Sequence, residues 1–583
     1  MNYLGWWSMY RVVGVVSAFL ISVGGFAASA GAARRHAPPR QARTGPASVR
    51  RTHAGRAHVA NAASGGIEWG TCTGNDTLSQ AGAQCGTLSV PVNYKDPQGP
   101  QIKLAVSRLL HTSSAADYKG VILTNPGGPG GSGLVLGAIL AGVLKSEHFT
   151  AAAADYDWIG FDPRGVGSSQ PALSCDPNFF SPNRGSYTPS TVALLRYWLS
   201  RSNEYAKACV TSSAAQTALL NNDTTRDSAL DMDSIRQALG ATLISYYGFS
   251  YGTYLGQVYS TLFPSHVKRL ILDSNVDPRR VWYAANLDQD VAFERNINIW
   301  FAWLAKYNDV YHLGATAQAV SQLFYATQAS LAAAPAGGQV GPDEWNDIFL
   351  GAGYYQQTWL SLGSLFAQWV HDPGAKTAAG LVSAYIGADS PGNDNGYAGY
   401  LAVQCTDTQW PRSLSKVLAD NWRYNTFAPF ETWGNGWFNG PCNFWRARVS
   451  HPVQINGNDI KNGLLIDETL DAATPFPGSV EVRSLFPHAV LLAEPGGTSH
   501  ADSLFGNTCV DSTIATYLTA GTLPARNNSA EWDKTCAPLP VPNPTLTGSP
   551  VTPATTSAGS SGGSVRVRRE PSRLAVSLAA KTH

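Results

Sequence analysis

Short apolar runs punctuate the chain at 86–92, 102–110, 121–124, 158–161, 243–247, 270–272, 464–466 and 489–492. Runs of this length, rich in Val, Ile and Leu and bounded by turn-forming residues, predict strands. Several are separated by stretches with a helical period. In 227–239, for example, Leu230, Ile235 and Leu239 lie near one face before Gly240 stops the helix. Strands alternating with helices predict an α/β fold with a mainly parallel, eight-stranded sheet. The pattern breaks between about 280 and 453, where the chain turns helix-like and carries eleven tryptophans: Trp282, Trp300, Trp303, Trp345, Trp359, Trp369, Trp410, Trp422, Trp433, Trp437 and Trp445. Most of these are expected to be core residues. An insertion between the sixth and seventh strands would cover the carboxyl ends of the strands, where open α/β sheets bind their ligands, and is therefore expected to form a lid.

Composition adds compartment and boundaries. With 44% hydrophobic and 14% charged positions in 583 residues, the chain can bury a large core. Arg11, an apolar stretch at 12–26 and Ala28-Ser29-Ala30 together read as an export signal over 1–30. A secreted or cell-envelope protein with no stable membrane span after signal cleavage is expected. Seven arginines and no acid make 31–65 a basic linker, and 537–583, with five cations against Glu570, reads as a disordered tail. With Arg11 these ends carry a formal charge of +12, so the overall +1 leaves 61–536 at −11. The basic residues lie in low-complexity ends without a motif, which argues against nucleic-acid recognition. The folded part divides into a first core segment at 66–280, the insert at 281–453 and a second core segment at 454–536. Eight cysteines lack metal-type spacing and suit four disulfides, most simply between sequence neighbours.

The chemistry follows from where small residues and polar groups fall relative to the strands. Gly248-Phe-Ser-Tyr-Gly252 lies between an apolar run and a helix-like stretch at 253–262, a context that raises a serine above the sheet as a nucleophile. A serine needs a base and an orienting acid. His500 follows the last run and Asp471 follows the run at 464–466, so both belong at strand ends. Asp467 is the reserve acid, with Asp273, Asp277 and Asp502 as further competitors. The loop Asn125-Pro-Gly-Gly-Pro-Gly-Gly-Ser-Gly133 offers backbone amides little obscured by side chains, and Gly128 with Tyr251 are the expected oxyanion donors. Asp162 and Arg164 read as a structural turn pair. No metal or organic cofactor is required.

Six motifs in order carry a resemblance: Cys85-Gly-Thr-Leu-Ser-Val-Pro91, the 125–133 loop, Asp162-Pro-Arg-Gly-Val-Gly-Ser168, Gly248-Phe-Ser-Tyr-Gly-Thr253, Leu272-Asp-Ser-Asn-Val-Asp-Pro278 and Leu470-Asp-Ala-Ala-Thr-Pro475. Over about 72–536 the chain resembles the secreted tripeptidyl aminopeptidases of actinobacteria, in the proline iminopeptidase-related branch of α/β-hydrolase serine peptidases. That resemblance implies the triad Ser250, Asp471 and His500, and release of short peptides, often tripeptides, from free amino termini. An ammonium group held in a closed cleft calls for a carboxylate in the insert, for which Glu294, Asp290 and Asp407 are available. The chain departs from the family pattern at Trp303-Leu304, where relatives commonly show Trp-Cys, and at Ile466-Asp-Glu-Thr-Leu-Asp471, where Glu468 alters the turn before the acid. The alternatives are an esterase or amide hydrolase with the same triad and, further off, a binding protein without turnover.

Overall fold

The computed structural model describes residues 66–545, so the expected export signal and basic linker lie outside the described residues, as does the chain beyond 545. Eight strands fall where the apolar runs place them: β2 (Gln84–Pro91), β3 (Gln101–Leu109), β4 (Gly120–Asn125), β5 (Tyr156–Phe161), β6 (Ile244–Phe249), β7 (Val267–Asp273), β8 (Gly463–Glu468) and β9 (Ala489–Glu494). The sheet nevertheless has ten strands, because β1 (Gly70–Thr71) and β10 (Lys534–Thr535) extend its two edges. Two residues are too few to carry an alternation, which is why the pattern of apolar positions does not reveal them.

Strand order is β1-β2-β3-β5-β4-β6-β7-β8-β9-β10. The pairings from β1 to β5 are antiparallel, and those from β5 through β10 are parallel. Successive side chains point to opposite faces of a strand, and this splits the core in two. Val121, Leu123 and Tyr246 join the packing on one face, and Ile122, Tyr247 and Phe249 join that on the other. The helix Thr225–Ala238 begins with Thr224, whose side chain accepts from the Asp227 amide, and ends before Gly240 at φ 66°.

Helices from Tyr283–Lys306 to Thr432–Phe438 fill the interval between β7 and β8. They have a core of their own, in which Trp300, Phe324, Trp345, Phe349 and Phe366 pack ring on ring. Ala472 and Ala473, immediately after Asp471, belong to that same core. The covering layer also draws on the interval between β5 and β6: Trp198, in the helix Val192–Thr211, stacks on Trp437 at 5.9 Å. Trp282, Trp300, Trp303, Trp345, Trp359, Trp410, Trp433 and Trp437 are all buried, whereas Trp422 is exposed. Disulfides join Cys72–Cys85, Cys175–Cys209, Cys405–Cys442 and Cys509–Cys536, the sequence neighbours in each case. The first residues of the C-terminal tail lie along the surface, where Pro542 accepts a hydrogen bond from the Trp303 indole at 2.8 Å. Among the described residues no helix is long and apolar enough to cross a membrane.

Candidate active site

β6 ends at Phe249 and the helix Tyr251–Leu262 begins two residues later, leaving Ser250 alone in the turn at φ 56°, ψ −126°. A non-glycine residue rarely adopts such a backbone, and the strain is held by packing and by the Ser250 amide, which donates to the Asp273 carbonyl at 2.9 Å. Because β6, β7 and β8 run parallel in register, Phe249 lies opposite Asp273, and Asp273 opposite Ile466. The residues after each strand therefore meet at one edge of the sheet. Asp471 and His500 arrive there from the loops after β8 and β9.

His500 Nδ1 donates to Asp471 Oδ2 at 2.7 Å, with both side chains fully buried. Asp471 also accepts from the amides of Ala473 and Thr474 at 2.8 and 3.0 Å and from the Thr474 hydroxyl at 2.9 Å. Burial alone would raise this carboxyl, but the imidazole and the converging donors outweigh it and hold Asp471 below the usual carboxylate range. The other acids are engaged elsewhere. Asp467 accepts from the Ser479 hydroxyl, Asp273 from the amide of Ser503, and Asp277 pairs with Arg279 near the surface.

The glycine-rich loop passes directly beside the serine. A Cβ on Gly127 would lie 2.6 Å from the Phe249 carbonyl, 2.8 Å from Ser250 Cβ and 3.1 Å from the Tyr251 amide, so only glycine fits. Tyr251 is the first residue of its helix, where an N–H has no intrahelical acceptor. The Gly127–Gly128 backbone and the Tyr251 amide thus come together next to Ser250. Asp162 fixes this loop by accepting from the Ser132 hydroxyl at 2.5 Å and the amides of Leu134 and Ser168 at 3.2 and 2.7 Å. Arg164 does not pair with Asp162. It forms a buried two-pronged bond to Asp231 at 2.8 and 2.6 Å.

The three insert acids occupy different environments. Asp407 is buried and saturated by the Thr225 amide and hydroxyl and the Trp282 indole, and burial pushes it up to about 6. Glu294 accepts from the Phe430 amide and the Asn298 side chain. Asp290 accepts from Asn435 at 2.9 Å and lines a cavity with Tyr283, Asn286, Trp410 and Asn439, and burial pushes it up to about 7.

Two neighbours on the helix Tyr283–Lys306 escape a reading by motif. The Asn296 amide donates to the carbonyls of Gly353, Leu470 and Thr498 at 3.0, 2.9 and 3.3 Å, tying together the insert, the acid loop and the histidine loop. Arg295 donates to the carbonyls of Leu470 and Asp471. Tyr354, also from the insert, accepts the His500 amide on its carbonyl at 2.9 Å and sets its ring edge-on to the imidazole at 5.8 Å. Nothing in the sequence singles out Arg295 and Asn296, because the same helix carries Asn286, Asp288, Gln289, Asp290, Glu294 and Asn298 as well.

A strand-turn-helix serine and a buried acid–histidine pair at the carboxyl edge of a largely parallel sheet define an α/β-hydrolase. Consistent with this, a family model described as "alpha/beta hydrolase fold" matches residues 120–364, and one described as "TAP-like protein" matches 428–530. A tripeptidyl aminopeptidase of Streptomyces lividans is 39% identical over 495 residues, covering 83% of this chain and 89% of that protein. Serine protease Hip1 of Mycobacterium tuberculosis H37Rv is 30% identical over 505 residues, covering 81% and 92%, and carboxylesterase B of the same strain is 31% identical over 477 residues, covering 78% and 88%. The chain belongs to the tripeptidyl aminopeptidase family of α/β-hydrolases.

Proposed function

We propose that the protein is an exported serine exopeptidase that releases short peptides, most simply tripeptides, from the free amino termini of peptides or proteins. The buried Asp471–His500 pair at the same sheet edge as the strained Ser250 turn supports serine-hydrolase chemistry, and the 39% identity to the Streptomyces lividans tripeptidyl aminopeptidase supports the exopeptidase reading of it. Ser250 attacks the scissile carbonyl as His500 takes its proton. Since Nδ1 is engaged by Asp471, proton traffic runs through Nε2, which then protonates the leaving amine. Water, activated by the same imidazole, hydrolyses the acyl-enzyme. The amides of Gly128 and Tyr251 stabilise the tetrahedral oxyanion, and loss of one such donor costs about a hundredfold in turnover or more. Of the three insert acids, Asp290 is the one we assign to the substrate ammonium, because it lines a cavity and accepts from Asn435 alone, whereas Asp407 and Glu294 each accept from two or more protein donors. The helical insert at 281–453 acts as the lid. Export through an N-terminal signal agrees with four disulfides in the described part.

The test compares a tripeptide amide bearing a free amine with its N-acetylated form. Strong preference for the free amine is expected, and equal rates would sink the exopeptidase reading. An esterase of small acylated substrates is the second reading, favoured by the likeness to carboxylesterase B. It predicts faster turnover of short acyl esters than of either peptide. Fluorophosphonate labelling, abolished in Ser250→Ala and slowed in His500→Ala, identifies the nucleophile and base under both readings.

A further inference from the structure

Glu468 closes β8 inside the protein. There it meets Glu494, its register partner at the end of β9, and Asp502, two residues beyond His500; all three are buried. Their carboxyl oxygens lie within 4.8 Å of one another. Three buried carboxyl groups this close cannot all be ionised. The surrounding backbone is fitted to the Glu468 carboxyl group. Ser499 donates its amide to Oε2, and a Cβ on Gly497 would lie 2.5 Å from Oε1 and 2.6 Å from Oε2. Leu470, one residue before Asp471, donates its amide to the Gly497 carbonyl at 2.9 Å, and Asn507 donates to Glu494 at 2.5 Å. The turn 497–502, with His500 inside it, is thereby wrapped around one side chain.

We propose that Glu468 is a positioning residue for His500: as a neutral carboxylic acid it accepts the Ser499 N–H and donates its proton to Asp502, bracing the turn on both sides of the imidazole. The proposal rests on the reading of His500 as the general base. Burial first, and then the charge of Asp502, push Glu468 up to about 12, and the same two causes push Glu494 up to about 9. Asp502 is raised mainly by burial. The other charged groups facing the cluster are Asp273 at the end of β7, pushed up to about 7 by burial, Asp511 from the helix Thr508–Ala520, pushed up to about 8 by burial and Glu147, and Asp471 with His500 themselves. The surroundings are predominantly acidic, so the shared proton is what allows these carboxyl groups to stay together at neutral pH.

The neutral-acid role is tested in the full chain with Glu468→Gln, Glu468→Asp and Glu468→Ala, reading kcat and KM on the free-amine tripeptide amide from about pH 5 to 10, the rate of fluorophosphonate labelling, and thermal unfolding. Glutamine reproduces both the acceptor and the donor, so it should keep kcat within about threefold and leave both limbs of the pH profile in place. Alanine and the shorter aspartate should lower kcat by about tenfold to a hundredfold, with KM within about twofold, because the base is misplaced while the binding surface is intact. Glutamine as impaired as alanine, or a shifted acid limb in Glu468→Gln, would overturn the proposal by showing that the group works as an anion. Aspartate at wild-type kcat would overturn it too, and that measurement stands if the alanine variant does not fold. A rise in unfolding temperature on adding calcium, lost in Glu468→Gln, would show a cation in place of the proton. Labelling of Ser250 depends on the base whatever the substrate, so the same comparison is read from labelling rates if the tripeptide amide is not cleaved.

Discussion

At Asp471 four donors converge on one carboxylate, and only one of them belongs to the proposed catalytic base, His500. Asp471→Asn can keep Oδ1 for the Ala473 and Thr474 amides, but its Nδ2 now meets His500 Nδ1 as a donor and forces the opposite tautomer. Turnover should fall by about ten-thousandfold with the fold retained, as measured by kcat alongside thermal unfolding. The carboxylate also carries a pH signature. Its folded value lies below the ordinary 3.8, so it contributes stability above that value and loses it as the pH falls through the folded one. Wild-type unfolding temperature should therefore drop more steeply than that of Asp471→Asn below about pH 4. Parallel curves would mean that the carboxylate is not held in this way.

At the scale of elements, the helix Tyr283–Lys306 joins the insert to the sheet edge through Asn296. Removing that amide in Asn296→Ala takes a donor from the carbonyls of Gly353 and Thr498, while Leu470 keeps Arg295, at a cost of about 2 kcal/mol in stability. The acid and histidine loops should also drift apart, and kcat should fall by about tenfold or more while Ser250 remains in its turn. Wild-type kcat in this variant would show that the loops are positioned without it. This helix also marks where the sequence stops being legible. Strands β4 to β9 announce themselves because a strand buried on both faces must be a short apolar run, β2 and β3 because apolar positions recur along them even where one face is exposed, and Ser250, Asp471 and His500 because each follows a buried run. Asn296 and Arg295 follow nothing of the kind: their acceptors are carbonyls 57 to 202 positions away from Asn296, and a backbone carbonyl leaves no trace in residue identity. The missed β1 and β10 have the same origin, since their pairing is backbone to backbone over two residues. Neighbour pairing of the cysteines was legible because each pair bridges elements close in the chain.

At the scale of the whole molecule, the layer over the sheet edge is closed. Ser250 is 3% exposed and His500 is fully buried. The oxyanion loop is capped by the helix Asn395–Asp407: a Cβ on Gly130 would overlap the Gly396 carbonyl and lie 2.7 Å from the Tyr400 amide. With the insert acting as the lid proposed above, turnover is expected to require it to lift from the 125–168 region. Gly399 supplies a way to test this, because a Cβ built there lies 3.0 Å from Val166 Cγ2 across the seam. That separation places Val166→Cys and Gly399→Cys within disulfide reach. The oxidised double variant should lose turnover of the tripeptide amide and regain it under reduction, with wild type treated in parallel as the control for the native disulfides. Val166→Cys alone should stay active in both states, and Gly399→Cys, whose Cβ also lies 3.2 Å from Gly130 Cα, should show the same activity oxidised and reduced and so sets the baseline for the pair. A small fluorophosphonate should also label the locked form more slowly than the reduced one. Full activity with the bond demonstrably formed would mean that substrate enters without separating the Asn395–Asp407 helix from the sheet, and the opening would then have to lie elsewhere, for instance along the cavity lined by Asp290 and Trp410.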